Sequence, residues 1–600
     1  MKKYSEIDKK YKWNTEDIFR TPEEFESTAN TVVEVIDTIP FYKNKLGKKE
    51  SLLKCFEKIY KCSRIIMKLG SYARRKRDTQ MDVSEYQELC GLVESLSESF
   101  TTVSSFVEPE LLSLPEEVLQ KFAEDKDFSL YKRYLGDIIR NKPHTLSDSE
   151  EMLMARFSSL GNAQYETFST FTSADMKFPE IKLSDGKKIE INQANYSIYR
   201  QTDNREDRKT VFDEFWETYH GCRNSISKML HYQIKYYTTT AEIRKFKSSR
   251  DRAMHGNELP EEFFSTLKKH IRKQLPSLHD YLELKKEVLN IEELKYYDIY
   301  ASMVPGGSGI KYPYEKSVEL VSEAMSPMTK EYRETINRAM KTGSGWTDVY
   351  PSAKKRNGAY MSGEAYDIHP FVLLNHTDDY SSVSTLAHEM GHAMHSYYSN
   401  KFQPFETSQY SIFVAEVASV FNEIMLINHM LDTLDDGDEK RYLLNHFIEM
   451  IRTTVFRQMQ FAEFEDSIYE KVEKGEVLSP DFLDKTYGET LRDYYGEEKG
   501  VMTIDSLYTA EWSFVPHFYY NYYVYQYVVG FVGALSLATD IRKGKISPEH
   551  YIDGFLKAGS SKPPLEILKD AGVDLSSPEP YELTGKVLRE NIEQLKNLLT

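Results

Sequence analysis

Apolar residues recur at three-to-four residue spacing through most of the 600-residue chain. Side chains at that spacing share one face of a helix, so each such segment predicts a helix with a buried face. The fold is therefore predicted to be mainly α-helical. The segments with this pattern are 21–39, 52–78, 83–108, 115–123, 147–171, 205–245, 260–288 and 314–341.

Two segments break the helical pattern. Residues 181–191 alternate apolar and polar residues around Asp185-Gly186, which favours a β-hairpin. Residues 342–376 are rich in Gly, Ser and Tyr and predict a short sheet with loops just before the next helix. We place a coarse domain boundary after the hairpin. It separates an N-terminal helical part, 1–200, from a second part, 201–600, and we expect the two to pack together.

Charge and cysteine content narrow the possible partners and location. The chain has 77 Lys and Arg against 94 Asp and Glu, a net charge of −17. This balance disfavours nucleic acid and anionic membranes as partners. The longest nearly apolar run, 527–538, is too short for a membrane span, and the basic N-terminus lacks the apolar stretch of a signal peptide. With only four cysteines, the sequence predicts a cytoplasmic protein with reduced thiols that binds neither nucleic acid nor membrane.

The sharpest local signal is HEMGH at 388–392. His388 and His392 are four residues apart, which places both imidazoles on one helix face, where two nitrogens can reach one Zn²⁺. Glu389 can accept a proton from a water that zinc makes acidic. This H-E-x-x-H pattern is typical of metallopeptidases. We expect Ser382 or Ser384 to cap the start of the helix.

A catalytic zinc site needs a third protein ligand. His395 is seven residues from His388, about 10.5 Å along a helix axis, so we predict that it packs near the site or supports it without binding the metal. Glu416 stands in an apolar stretch of small residues, where a metal would offset the cost of burying its carboxylate. Glu423 shares its face and could hold a ligand histidine. Glu406 is a weaker rival for the third ligand, in a predicted loop.

At these residues the sequence resembles the thimet-oligopeptidase-like zinc metallopeptidases, and within them the oligoendopeptidase F group. HEMGHAMH at 388–395 and the E-x-x-S-x-x-x-E run of Glu416, Ser419 and Glu423 carry the resemblance. KKRNGAY upstream, KWNTEDIF near the start and the tyrosine-rich segment near 517–527 extend it over nearly the whole chain. The resemblance implies a large two-lobed helical body around a deep channel that admits short unstructured peptides.

The resemblance also implies the roles of individual residues. The zinc ligands, for one ion per chain, are His388, His392 and Glu416, and Glu389 is the general base. A His and two Tyr from the C-terminal region donate hydrogen bonds to the transition state. His517, Tyr522 and Tyr525 are the candidates here, with Tyr519 and Tyr523 left open.

Three hypotheses follow for the function. The first is a zinc endopeptidase that hydrolyses internal bonds of short, unstructured oligopeptides. The second is an exopeptidase with the same metal site, although the sequence offers no obvious group to capture a substrate terminus. The third is a catalytically silent peptide-binding scaffold. The sequence leaves open the cleavage preference, the oligomeric state and whether cobalt or manganese replaces zinc.

Overall fold

The computed structural model describes residues 2–158, 160–304 and 309–599, without the side chain of Asp148, and helices dominate it. The chain forms two compact units, and each unit is assembled from three stretches of sequence. The first unit contains residues 1–145, 309–433 and 533–574, and the second contains 146–308, 434–532 and 575–600. Residue 200 lies inside the second unit, and the division of the chain at that residue stays a prediction.

The helices before residue 309 include the long α2 and α10. Those of the first stretch are α1 (Pro22–Ile36), α2 (Lys49–Thr79), α3 (Ser84–Ser104), α4 (Val107–Ser113), α5 (Glu116–Glu124) and α6 (Lys132–Asn141). Those of the second stretch are α7 (Asp148–Ser158), α8 (Ala163–Thr170), α9 (Gln193–Tyr199), α10 (Arg205–Ile243), α11 (Ser249–Gly256), α12 (Phe263–Arg272) and α13 (Leu275–Val288).

The helices after residue 308 include α16, which carries the HEMGH sequence. They begin with α14 (Tyr314–Ala324), α15 (Lys330–Met340), α16 (Tyr380–Phe402), α17 (Phe405–Ser408) and α18 (Ile412–Thr433). The remainder are α19 (Asp438–Ile451), α20 (Arg457–Glu473), α21 (Pro480–Tyr494), α22 (Tyr525–Arg542), α23 (Pro548–Tyr551), α24 (Pro564–Asp570) and α25 (Glu579–Leu599). The mainly helical fold is confirmed.

In the described part of the chain, the strands form two small sheets, both where the sequence predicts them. β1 (Glu180–Lys182) and β2 (Lys188–Glu190) make the antiparallel hairpin, and Gly186 adopts the positive φ of 84° that its turn requires. In the first unit, β5 (Phe371–Leu373) lies between β3 (Thr347–Asp348), which is parallel to it, and β4 (Tyr360–Ser362), which is antiparallel. β4 is therefore an edge strand of the three-stranded sheet.

A buried aromatic core joins this sheet to the N-terminal helices of the first unit. Phe371 and Leu373 of β5 belong to one cluster with Trp13, Phe25 and Tyr72. The rings of Trp13 and Phe371 meet edge to face with centroids 6.1 Å apart. These contacts join residues more than 300 positions apart and fix the sheet against α1 and α2. The thiols of Cys55 and Cys62 are free and fully buried on α2.

Among the described residues, α18 alone is long and apolar enough to cross a membrane by length and composition. Most of its apolar window is buried inside the protein, and its side chains pack on α14 and α16 of the same unit. It also carries Glu416 and Glu423, which face α16. These contacts describe a core helix of the first unit.

Candidate metal centre

Asp379, the residue just before α16, caps the first turn of the helix. Its carboxylate accepts a 2.8 Å hydrogen bond from the backbone N–H of Ser382. Neither predicted serine is the cap residue, because the helix begins earlier than its apolar pattern indicates. Ser384 instead points towards α18, where its hydroxyl donates to Glu423 at 2.8 Å.

His388, His392 and Glu416 converge in the first unit. One donor atom from each lies within 4.8 Å of the other two. The Nε2 atom of His388 is 3.6 Å and that of His392 is 3.9 Å from Oε2 of Glu416. The side chains are 28%, 15% and 36% exposed, respectively, so the cluster is partly shielded from solvent and remains accessible. The structure brings together the three residues that the sequence predicts as metal ligands.

Glu423 fixes the orientation of His388. Its Oε1 lies 2.6 Å from Nδ1 of His388, so Nδ1–H donates to Glu423 and Nε2 is directed at Glu416. The other carboxylate oxygen of Glu423 is held by Ser384. On the same helix, the Ser419 hydroxyl is 3.1 Å from Oε2 of Glu416. His392 makes a hydrogen bond with the backbone of Ala415, so every ligand side chain is held by a neighbour.

The close approach of α16 and α18 depends on Gly391. A Cβ atom at this position would lie 2.3 Å from the carbonyl oxygen of Ala418, far inside the sum of van der Waals radii. The absence of a side chain lets the two helices come close enough for Glu416 to reach the histidines. Asn422 also bridges the pair, since its Nδ2 donates to the Ala387 carbonyl at 3.2 Å.

Burial and charge act differently on the three groups of the HEMGH sequence. Burial opposes a charge on His388, but the Glu423 bond and nearby carboxylates outweigh it and raise its pKa to about 9. Burial, helped by His388, lowers the pKa of His392 to about 3. Burial, with the charges of Glu416 and Glu423, raises the pKa of Glu389 to about 7. Three carboxylates around two imidazoles favour a bound cation.

The donor set fits a zinc ion. Two imidazole nitrogens and one carboxylate are the ligands of a catalytic zinc site, which leaves a position open for water or substrate. Nε2 of His388 is available for a metal because Nδ1 is already engaged by Glu423. The residues of the first unit therefore fit the ion that the sequence implies.

His395, expected to pack near the site or support it, and Glu406, the weaker rival for the third ligand, make other contacts within the first unit. His395 is 1% exposed, and its ring stacks on Tyr410 and Phe555 at centroid distances of 3.7 and 4.9 Å. Burial lowers the pKa of His395 to about 3. Glu406 lines a separate groove with Tyr60 and Arg64.

His517, Tyr522 and Tyr525 belong to the second unit. The Tyr522 hydroxyl lies 2.9 Å from Oδ1 of Asp466, and its backbone N–H donates to Glu465 at 2.7 Å. The Tyr525 hydroxyl accepts from Asn257 at 2.8 Å. Both tyrosines are almost completely buried, and their catalytic roles stay predictions.

His517 is surrounded by other, partly exposed tyrosines. Its ring is near-parallel to that of Tyr523 at 6.0 Å, and Tyr520 and Tyr527 lie edge-on at 5.9 and 6.1 Å. Burial lowers the pKa of His517, so the imidazole is neutral and retains one N–H donor at neutral pH. The sequence could not separate these tyrosines from Tyr522 and Tyr525, because all of them fall within one short aromatic run.

A family model described as peptidase family M3 matches residues 198–585. This chain belongs to peptidase family M3. A second model, described as Oligopeptidase F, matches residues 110–178. The resemblance noted from the HEMGH region is thereby confirmed, and the chain is a metallopeptidase.

Curated relatives match this M3 peptidase over nearly its whole length. Oligopeptidase PepF of Bacillus subtilis is 38% identical over 99% of this chain and 88% of its own length. Group B oligopeptidase PepB of Streptococcus agalactiae is 35% identical over 99% of this chain and 98% of its own.

Solved structures share the fold. A crystal structure from Chlamydophila abortus has a TM-score of 0.93 and 32% identity over all of both chains. The oligoendopeptidase-F of Enterococcus faecium has a TM-score of 0.71 and 30% identity over 96% of this chain and 99% of its own.

Proposed function

We propose that this M3 peptidase hydrolyses internal bonds of short, unstructured peptides with one zinc ion held by His388, His392 and Glu416. The convergence of these three donor atoms, with Glu389 beside them, carries the proposal. The relatives named oligopeptidase and oligoendopeptidase F support the substrate class. When bound, zinc would polarise the scissile carbonyl and make water more acidic.

Glu389 acts as the proton carrier of the reaction. It is 7% exposed, and its pKa responds to the charges of His388, Glu416 and Glu423, so its carboxylate lies near the residues that would hold the metal. It accepts the proton of the attacking water and passes it to the leaving amine, which becomes a neutral product. The hydrogen bond between Glu389 and the backbone of Met361 in β4 holds this carboxylate in place.

His517 supplies a hydrogen bond to the developing oxyanion. Its tyrosine partner must present a hydroxyl that no neighbouring carboxylate or amide side chain already engages, whereas Asp466 holds that of Tyr522 and Asn257 that of Tyr525. Tyr523 meets that condition better than Tyr522 or Tyr525, because it is half-buried and packs on His517. Tyr523→Phe is then expected to lower kcat more than Tyr525→Phe, by about 100-fold. A larger loss of kcat in Tyr525→Phe than in Tyr523→Phe would contradict this assignment and favour the tyrosines implied by the resemblance.

Product masses test the proposed function directly. A mixture of peptides of about 5 to 20 residues and one unfolded protein is incubated with the enzyme, with and without a chelator. Internal cuts in the short peptides alone, lost with chelator and restored by zinc, are the expected result. Ladders from one end would indicate an exopeptidase. A zinc-loaded protein that cleaves nothing would indicate the silent scaffold.

The proposed cellular setting is the cytoplasm. Free thiols at Cys55, Cys62 and Cys90, all buried, agree with a reducing compartment such as the cytoplasm. The absence of nucleic-acid and membrane partners remains a prediction from the net charge of −17.

A further inference from the structure

A cavity of about 370 Å³ opens in the first unit beside the helix that carries the metal ligands. Its walls come from α2, from the edge strand β4 and from the second half of α16. Among the described residues, three arginines line it, Arg74, Arg75 and Arg356, against one carboxylate, Glu364. The lining therefore carries an excess of positive charge, in a protein whose net charge is −17.

The guanidinium of Arg75 is incompletely paired. Arg75 is 3% exposed, and its Nε and Nη1 atoms have no hydrogen-bond partner among the described residues. Its nearest carboxylate oxygen, on Glu364, is 3.6 Å from Nη1, beyond normal hydrogen-bond length. The rings of Trp13 and Tyr360 cover its faces at 5.6 and 4.9 Å. A buried cation with unused donors is costly unless an anion joins it.

The other charges around the cavity do not supply that anion. Glu364 is already engaged by Arg74 and also accepts from the Ser362 hydroxyl at 2.9 Å. Asp78 lies 3.6 Å from Arg356 and is held by Arg77 and the Tyr360 hydroxyl. Each carboxylate near the cavity is thus shared among several donors, while Arg75 keeps two unused ones.

The cavity lies along the same face of α16 as the two ligand histidines, towards the C-terminal end of the helix. Ser384, His388, His392 and Ser396 follow one another at four-residue spacing, and Ser396 lines the cavity. Ser396 and Asn400 lie about 6 and 12 Å beyond His392 along the helix axis. An extended peptide advances about 3.3–3.6 Å per residue, so these distances correspond to roughly two to four residues from the scissile bond.

Close packing fixes the end of β4 against this part of α16. A Cβ at Gly363 would lie 2.4 Å from Cβ of Ser396, and Asn400 Nδ2 donates to the Gly363 carbonyl at 2.9 Å. The same strand contacts Glu389 through the backbone of Met361. One rigid strand therefore borders both the catalytic carboxylate and the arginine cavity.

We propose that this cavity is a specificity subsite that binds a carboxylate of the peptide substrate, two to four residues from the cleaved bond, through Arg75 with Arg74 and Arg356. The proposal rests on the proposed peptidase function and adds a preference to it. The carboxylate can come from a Glu or Asp side chain or from the C-terminus of a short peptide.

Matched peptides test the proposal and separate the two sources. Glu is placed at each position within four residues of the cleaved bond, and Gln is placed at the same position in a matched peptide. The Glu/Gln ratio is kcat/KM of the Glu peptide divided by kcat/KM of the Gln peptide. The same peptides are made with a C-terminal acid and with a C-terminal amide. We expect one position, or the acid terminus, to raise kcat/KM about tenfold, the size of a hydrogen bond to a charged group.

Substitutions of two cavity residues are expected to change the Glu/Gln ratio in opposite directions. Arg75→Gln should bring the Glu/Gln ratio close to one, because kcat/KM of the Glu peptide falls towards that of the Gln peptide. Glu364→Gln removes the competing carboxylate and should raise the ratio. Arg64→Gln is the matched control, because Arg64 also lies on α2 with a carboxylate partner, Asp367, but lines a different groove. It should leave the ratio unchanged.

The outcomes are distinguishable. A Glu/Gln and acid/amide ratio near one at every position, with peptides still cleaved, would overturn the subsite and leave the peptidase function standing. An equal fall of the Glu/Gln ratio in Arg64→Gln and Arg75→Gln would also overturn it. The preference would then come from long-range attraction to positive charge and not from this cavity. If Arg75→Gln fails to fold, the test rests on Glu364→Gln. A raised Glu/Gln ratio in that variant would support the proposal, and an unchanged or lowered ratio would overturn it. No cleavage of any peptide would remove both proposals.

Discussion

Glu423 shows how much of the metal centre is set by a residue that need not touch the metal. Its carboxylate holds Nδ1 of His388 at 2.6 Å and is itself held by Ser384. A ligand imidazole positioned in this way binds metal without first losing rotational freedom. The charge of the carboxylate also makes Nε2 of the imidazole a stronger electron-pair donor to a metal ion.

The first prediction is that Glu423→Gln lowers zinc affinity about 10- to 100-fold. The amide keeps the shape of the side chain but cannot accept as strongly from Nδ1–H. Competition with a chromophoric chelator measures the affinity. Glu406→Gln is the control, since Glu406 lies in another groove of the same unit. Equal affinities for Glu423→Gln and the wild type would show that the bond is not used in binding.

The second prediction concerns His395. Its Nδ1 is buried and has no hydrogen-bond partner among the described residues, and its ring packs between Tyr410 and Phe555. His395→Phe keeps the stacking and removes the unpaired atom, so zinc should bind as in the wild type and stability should not fall. His395→Ala should cost about 3 kcal/mol in the free energy of unfolding. Loss of zinc in the phenylalanine variant, seen by metal analysis, would make His395 part of the metal site.

Sequence reasoning located the metal site because helical spacing acts locally. The i, i+4 spacing of His388 and His392 fixes their common face, and a carboxylate among small apolar residues identified Glu416. It did not find Asp379 as the helix cap. Nor could it place Tyr522, whose hydroxyl lies beside Asp466, 56 residues earlier in the chain.

At the scale of elements, the pairing of α16 with α18 creates the site. α16 supplies two histidines and Glu389, and α18 supplies Glu416 and Glu423. Gly391 sits at their closest approach, where any side chain would strike the backbone of Ala418. The sequence of the site therefore includes a residue whose contribution is its lack of a side chain.

The third prediction is that Gly391→Ala weakens zinc binding about tenfold or more, because ligand distances must hold within about 0.2 Å. The unfolding free energy should also fall by about 1–3 kcal/mol from overpacking. Gly91→Ala is the matched control within α3, where no atom outside the helix lies within 4 Å of the added Cβ. There alanine should stabilise by up to about 1 kcal/mol. If both variants bind zinc like the wild type, the close approach is not required.

The helical patterns in the sequence predicted where helices occur more accurately than where each helix begins and ends. The segment 205–245 corresponds closely to α10 (Arg205–Ile243). The segment 314–341 contains two helices, α14 and α15, because Pro327 falls in the interval between them. The segment 260–288 likewise divides before Pro276, which lies in the first turn of α13.

At the scale of the whole molecule, the first unit gathers residues from three distant stretches of the chain. Trp13 packs on Phe371, and Tyr332 donates to Asn422 at 2.8 Å. Local periodicity carries no information on such distant partners. For this reason the sequence predicted the helical class and the sheet beside α16 but not the way in which the units are assembled.

The fourth prediction is that zinc protects the first unit from local opening. A ligand that binds only the native state stabilises it by about 2.7 kcal/mol at 100 times its Kd. Hydrogen exchange followed by mass spectrometry should show slower exchange in α16 and α18 with zinc, and little change in α10 of the second unit. Glu416→Gln should remove the effect. Protection of α10 equal to that of α16 would contradict a metal site confined to these two helices.

The central claim is that Glu389 carries the proton in a reaction at the His388, His392 and Glu416 site. The most direct measurement is the zinc content and kcat of Glu389→Gln beside the wild type, on one short peptide with an internal cleavage site. We predict one zinc per chain in both proteins and a kcat at least about 10²–10⁴-fold lower in the variant, the usual contribution of a general base. A fully zinc-loaded Glu389→Gln that cleaves the peptide at the wild-type rate would contradict the claim.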